Sequence, residues 1–142
     1  MEPNNNGDEL AFEVRDCECD LQGIVNNAVY QNYLEHARHK FLKAGGADFA
    51  ALTAAGVHLV VARAELDYRA PLRSGDAFVV ASRIERPSPV RVVFVQDVLK
   101  MPARQLMVRS QFVCAAMNRQ GRPIVQHELQ ETFDRMERLT GL

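Results

Sequence analysis

Tryptophan is absent, cysteine occurs three times, and neither sign of charge prevails in this chain of 142 residues. Each shortage excludes something. Seventeen Lys and Arg against eighteen Asp and Glu leave no global basic field of the kind that recruits nucleic acid. Cys17, Cys19 and Cys114 are too few, and odd in number, for a disulfide framework; they read as reduced thiols in a cytosol-like compartment. Cys17-Glu-Cys19 lacks the spacing and the second ligand pair of a tetrahedral metal site, and His36 and His39 have no partner pair at a suitable interval. No metal is therefore expected. No apolar run approaches the roughly 20 residues that span a bilayer. The opening MEPNNNGDEL is too acidic for a transit peptide and lacks the positive-then-apolar order of a signal peptide.

What is present fits one globular domain. Hydrophobic residues make up 47% and charged residues 25%, ordinary values for such a chain. Residues 1–9 are expected to form a flexible tail and 10–142 a single domain. The balanced total hides two poles. Residues 1–20 hold seven acids against Arg15 alone, while residues 100–122 hold Lys100, Arg104, Arg109, Arg119 and Arg122 and no acid.

Periodicity divides the chain. Leu10, Phe12 and Val14 share one face of a short strand over Leu10–Arg15. Tyr30, Tyr33, Leu34, Ala37, Phe41 and Leu42 recur at spacings of three and four, predicting a helix over Asn27–Ala44. Asn26 is placed to cap it, and Gly45-Gly46 to stop it. A short helix is expected over Asp48–Ala55. Val57–Tyr68, Ala77–Glu85, Val90–Met101 and Gln105–Met117 then read as four long antiparallel strands joined by hairpins, with Leu106, Val108, Phe112, Cys114 and Ala116 on one face of the last. His127–Leu139 carries a weaker helical pattern, or forms a partly extended edge. A helix of 18 residues is about 27 Å long, and five strands span about 24 Å. One helix can thus cross the whole concave face of a curved sheet. The fold class is α+β, a long helix wrapped by a curved five-stranded antiparallel sheet.

The chemistry concentrates just before that helix. Asp20, Gly23 and the Asn26-Asn27 helix start lie within eight residues. The first N–H groups of a helix have no intrahelical acceptor and carry about half a positive charge. Such groups stabilise the oxyanion that forms when a carbonyl is attacked. Gly23 permits close approach of a ligand to the backbone. Asp20 can attack, or activate water as a base. The alternative for the same residues is capping alone. Asp16 and Glu18 read as solvated acids.

The pattern Asp20-x-x-Gly23-Ile24-Val25-Asn26-Asn27-x-x-Tyr30-x-x-Tyr33, followed by Glu35, resembles the signature of hotdog-fold thioesterases of the 4-hydroxybenzoyl-CoA thioesterase type. Arg15-Asp16, Val25 to Tyr30 and Pro71-Leu72-Arg73-Ser74-Gly75-Asp76 look closest to the single-hotdog fatty acyl-ACP thioesterases of plastids and their bacterial relatives. The resemblance runs from about Phe12 to Met117. It implies that Asp20 is the catalytic carboxylate and that the Asn27 N–H polarises the thioester carbonyl. Many relatives carry an aromatic side chain at the Asn27 position, a difference that bears on substrate fit more than on chemistry. Some place a catalytic Glu within the helix, but Glu35 is not at the helix start and ranks below Asp20. The family site lies at a subunit interface, which implies a homo-oligomer, a dimer or a dimer of dimers.

The expected reaction is hydrolysis of a fatty acyl-ACP or acyl-CoA thioester to free acid and thiol, with no cofactor. Gly23, Val25, Asn26, Tyr30 and Tyr33 are candidates for contacting substrate, with core packing as the alternative for the two tyrosines. Arg91, Lys100, Arg104 and Arg119 are candidates for meeting the phosphates of CoA or phosphopantetheine. A solvated strand edge is the other reading of these four. His36 and His39 fall near the face opposite the apolar stripe, and Cys17 and Cys19 have no evident base. A non-catalytic acyl-CoA or acyl-ACP binding protein and a hotdog dehydratase or hydratase are the alternatives, the last lacking a His near the helix entry. The compartment expected is cytoplasmic, or the plastid stroma for a mature form without its transit peptide.

Overall fold

A computed structural model describes residues 8–140. The elements in chain order are β1 (Glu9–Glu13), a 3-10 turn (Asp16–Glu18), α1 (Asn27–Ala44), α2 (Phe49–Ala54), β2 (His58–Tyr68), β3 (Ala77–Ser88), β4 (Arg91–Lys100), β5 (Gln105–Met117) and α3 (His127–Leu139). Most of the tail expected over residues 1–9 lies outside the described residues. Glu9 belongs to the sheet, where it pairs with Ala81, and the Asp8 carbonyl just before it accepts from the Ser82 N–H. No described helix is long and apolar enough to cross a membrane.

The five strands form one antiparallel sheet in the order β1-β3-β4-β5-β2. The expected chain of hairpins holds for β3-β4-β5 and fails for β2, which lies at the far edge and pairs only with β5. Leu72 explains the departure. It is fully buried; its N–H donates to the Tyr30 hydroxyl at 3.0 Å, and its carbonyl accepts from Val25 N at 2.9 Å. Residues 69–76 therefore form a strap that crosses to β3, pinned under the start of α1, and not a tight turn.

α1 buries Tyr30, Tyr33, Leu34, Ala37, Phe41 and Leu42 as its periodicity requires. Arg38, a residue its charge would send to the surface, is buried on the same face. Beneath it, Gln96 of β4 donates to the Leu34 carbonyl at 3.1 Å and to Ser82 Oγ at 3.0 Å, and its Oε1 accepts from Arg38 Nη1. α1 ends where expected. A Cβ on Gly45 would lie 2.5 Å from Met136 Cγ and 3.0 Å from the Thr132 carbonyl oxygen, so glycine there lets α3 pack closely. α3 is a full helix, with Leu129, Phe133 and Met136 buried and the Arg86 side chain bonded to Gln130, Asp134 and Glu137. On β5, an irregularity between the Val98–Val108 and Leu99–Leu106 pairs inserts Met107. Leu106 therefore does not share the face of Val108, Phe112, Cys114 and Ala116.

Candidate active site

Residues 18–26 fold back on themselves as a small hairpin leading into α1. The Asn26 N–H donates to the Glu18 carbonyl at 3.1 Å, Cys19 bridges Val25, and the Asp20 N–H donates to the Ile24 carbonyl at 2.9 Å. Asp20 thus sits two residues beyond the rung that holds the helix start, about 7 Å along the ladder. Gly23 closes the turn at φ +79°, the left-handed region, with open space where a Cβ would stand. Its requirement is conformational. Asp20 is exposed; its Oδ1 accepts from Gln22 N at 2.8 Å and Ile24 N at 3.4 Å, and Oδ2 has no donor among the described residues.

The helix start is capped selectively. Asn26 Oδ1 accepts from the Ala28 N–H at 2.9 Å, and the Asn26 carbonyl accepts from the Val29 N–H at 2.9 Å. The Asn27 N–H has no acceptor among the described residues, although Asn27 itself is exposed. That N–H is an oriented backbone donor at the positive end of an 18-residue helix. The Asn27 carbonyl accepts from the Tyr68 hydroxyl at 3.3 Å, and the Tyr68 ring meets Tyr30 edge-on at 5.6 Å. Nothing in the sequence pattern marks Tyr68. It reaches the site only because β2 runs antiparallel to α1 along the edge of the sheet.

The other candidates separate. Val25, Tyr30 and Tyr33 belong to the core. Both tyrosine hydroxyls are committed to the scaffold, Tyr30 accepting from Leu72 N and Tyr33 donating to Glu18 Oε1 at 2.8 Å. Burial holds the Tyr30 hydroxyl protonated; burial and then the bond to Glu18 do the same for Tyr33. Glu18 is not a solvated acid. Its side chain is only 12% exposed and accepts from the Arg15 N–H, the Arg15 guanidinium and Tyr33. Burial pushes its pKa up, but these donors outweigh burial and hold it below the ordinary value. Asp16 is tied to the Ser74 hydroxyl. The Cys19 thiol is pushed up by burial and then by Asp16, and burial raises Cys114 to about 11. Both are poor nucleophiles.

The basic candidates do not converge on one patch. Arg104 holds Glu9 with two bonds at 2.8 and 3.1 Å, Lys100 stands 3.6 Å from Asp76, and Arg119 donates to the Ala54 carbonyl at the end of α2. Arg91 is exposed at the start of β4 and has no ion pair among the described residues.

A long helix cradled by a curved five-stranded antiparallel sheet is the hotdog fold. The chain belongs to the thioesterase-like superfamily, whose profile matches residues 14–134. It is 35% identical over 116 residues to acyl-acyl carrier protein thioesterase ATL3, chloroplastic, of Arabidopsis thaliana, covering 82% of this chain and 61% of that one. The chain thus spans about three-fifths of the length of that curated relative. It is 27% identical over 130 residues to long-chain acyl-CoA thioesterase FadM of Escherichia coli, covering 90% of this chain and 98% of the other. A hypothetical protein of known structure from Aquifex aeolicus superposes with a TM-score of 0.81 at 25% identity, covering 88% of this chain and 98% of that one.

Proposed function

We propose that the protein hydrolyses fatty acyl thioesters, carried on acyl carrier protein or CoA, to free acid and thiol. The observation that carries this reading is the unbonded Asn27 N–H at the start of α1, one short hairpin away from the open carboxylate of Asp20. The thioester carbonyl oxygen accepts from that N–H. Charge that develops on the oxygen as the carbon becomes tetrahedral is met by a fixed dipole that needs no reorganisation. Asp20 either adds to the carbonyl carbon itself or takes a proton from the water that does. The carbon–sulfur bond then breaks, and the thiolate leaves and is protonated; where Asp20 itself has added, water then splits the acyl-aspartyl anhydride to free acid and the Asp20 carboxylate. Gly23 and Asn26 hold this geometry through their backbone, and Val25, Tyr30 and Tyr33 brace it from the core. The names of the relatives, an acyl-acyl carrier protein thioesterase and a long-chain acyl-CoA thioesterase, support the substrate class.

A homodimer, alone or paired again, completes the site in this reading. β2 leaves its outer edge unpaired and exposes Val60, Val61 and Tyr68, and Leu21 is fully exposed beside Asp20.

Asp20→Asn tests the chemistry. The amide oxygen can still accept from Gln22 N, so the melting temperature should stay within a degree or two of the wild type. Turnover on an acyl-CoA panel should fall about 10²–10⁴-fold, the range of a general base. Wild-type protein that releases no thiol from any acyl-CoA or acyl-ACP, or a variant that retains full turnover, overturns the assignment. Single turnover in ¹⁸O water separates the two roles, since label enters the Asp20 side chain only if Asp20 is the nucleophile.

A further inference from the structure

The Arg38 guanidinium is a buried charge with no carboxylate in direct contact, although Glu35 acts on it at longer range. The residue is 7% exposed, and among the described residues no carboxylate pairs with it. Its partners are neutral: Gln96 Oε1 accepts from Nη1 at 3.1 Å, and the Phe112 ring lies 4.0 Å from Cζ. A guanidinium carries five N–H donors and keeps its charge, and buried charges are ordinarily paired. Nε and Nη2 donate to no group among the described residues, yet neither is a sealed atom. Arg38 lines a cavity of about 230 Å³ at the seam between α1, α2 and β2.

That cavity is two-natured. Leu42, Phe49 and Phe94 give it apolar walls, and Arg38, His39 and His58 give it polar ones. A 150 Å³ cavity accommodates benzene, so this one has room for the end of a chain. Arg38 lies eleven residues beyond Asn27 on α1, about 16 Å along the axis. β2 runs beside α1 in the opposite sense, with Tyr68 at the Asn27 end and His58 and Val61 at the cavity. The cavity and the candidate active site therefore share one seam.

We infer that Arg38 and this cavity receive the far end of the acyl chain and select chains that end in an oxygen acceptor, a hydroxyl or a carboxylate. The inference rests on the thioesterase reading above and goes beyond it to the substrate class. A terminal oxygen gives the guanidinium the acceptor it lacks. A methyl terminus displaces water from those N–H groups and offers nothing in return. Sites built to bond a polar substrate group reject the analogue without it far more strongly than apolar pockets reject an added group. Glu35 also lines the cavity, and its charge acts on Arg38 from beyond ion-pair contact. Its charge bears against a carboxylate terminus and not against a hydroxyl, so comparing the two termini identifies the source.

The test measures kcat/KM of the full chain on decanoyl-CoA, 10-hydroxydecanoyl-CoA and the CoA thioester of the ten-carbon diacid, with wild type and Arg38→Met. The wild type should favour at least one oxygenated chain by about 10-fold or more, and the ratio should fall to near one in the variant. A wild-type ratio near one, or a ratio the variant preserves, overturns the inference. A structural role for Arg38 would lower all three rates together and leave the ratio unchanged. If Arg38→Met does not fold, Arg38→Lys, which keeps the charge but loses the fork, must reduce the ratio. If the wild type hydrolyses none of the three, nor the same chains on acyl carrier protein, the thioesterase reading fails. Calorimetric titration with 10-hydroxydecanoate, decanedioate and decanoate then decides the site. Tighter binding of an oxygenated acid in wild type, lost in the variant, supports it; equal binding overturns it.

Discussion

Glu18 shows how a single residue changes meaning on folding. By sequence it is one of seven acids in a polar run. In the fold, Tyr33 reaches it from fifteen residues downstream and Arg15 from three upstream, so it becomes the brace between the hairpin and α1. Its carboxylate is favoured in the folded state, with a pKa below the unfolded value of about 4.3. The stability it contributes is therefore fully present above that value and is lost as pH falls through the folded pKa. Glu18→Gln keeps an acceptor for Tyr33 but loses the charge-assisted bonds. Chemical denaturation should find it about 1 kcal/mol less stable at pH 7, with the difference from wild type shrinking as pH drops below about 4. A gap that stays constant down to pH 3 would contradict the role of the charge. Asp20 differs from Glu18 only in geometry. It stands at the tip of the hairpin, where its second oxygen has no donor among the described residues.

At the scale of elements, α1 is the most legible part of the chain. Its apolar spacing, the Asn26 cap and the Gly45-Gly46 stop all report the same boundaries, because each acts within a few residues. Gln96 and Arg38 are illegible for the opposite reason. Their bonds cross 58 residues, and Gln96 reaches Leu34 across 62. A Gln within a strand gives no sign that it carries a helix on its side chain. Gln96→Leu should remove the partners of Arg38 and Ser82 Oγ together. At about 1–3 kcal/mol for each polar group left without a partner, a loss of roughly 3 kcal/mol or more is expected in urea melts. A loss under 1 kcal/mol would show that water replaces the amide. β2 shows little alternation in burial because most of it is uncovered within one chain: nine of its eleven residues are exposed, with Leu59 and Leu66 partly buried against the core.

For the whole molecule, the two charge poles meet. Glu9 from the acidic segment takes Arg104 from the basic one in a two-pronged pair that fastens β1 to the β4–β5 turn. Lys100 and Arg109 are likewise matched by Asp76 and Asp97. The basic pole is mostly internal wiring, with Arg122 exposed and in no ion pair among the described residues. The uncovered β2 edge sets the expectation for assembly. An unpaired, 11-residue edge with exposed valines is a template for another strand unless something covers it. Val61→Lys should shift sedimentation at micromolar concentration from dimer toward monomer and lower turnover with it. Wild-type protein that sediments as a monomer would remove the dimer from the proposal.

The local order of residues was enough to define the helix, the identity of four long strands, the capping of α1 and the place of Asp20 and Asn27 around it. All of these depend on short-range periodicity, turn chemistry and the unpaired groups at a helix start. Strand order, the strap through Leu72, the Glu18–Tyr33 brace and the burial of Arg38 were settled only by tertiary structure. In each, the partners are far apart in the chain, and nothing nearby in sequence reveals which groups will face one another once water has been excluded.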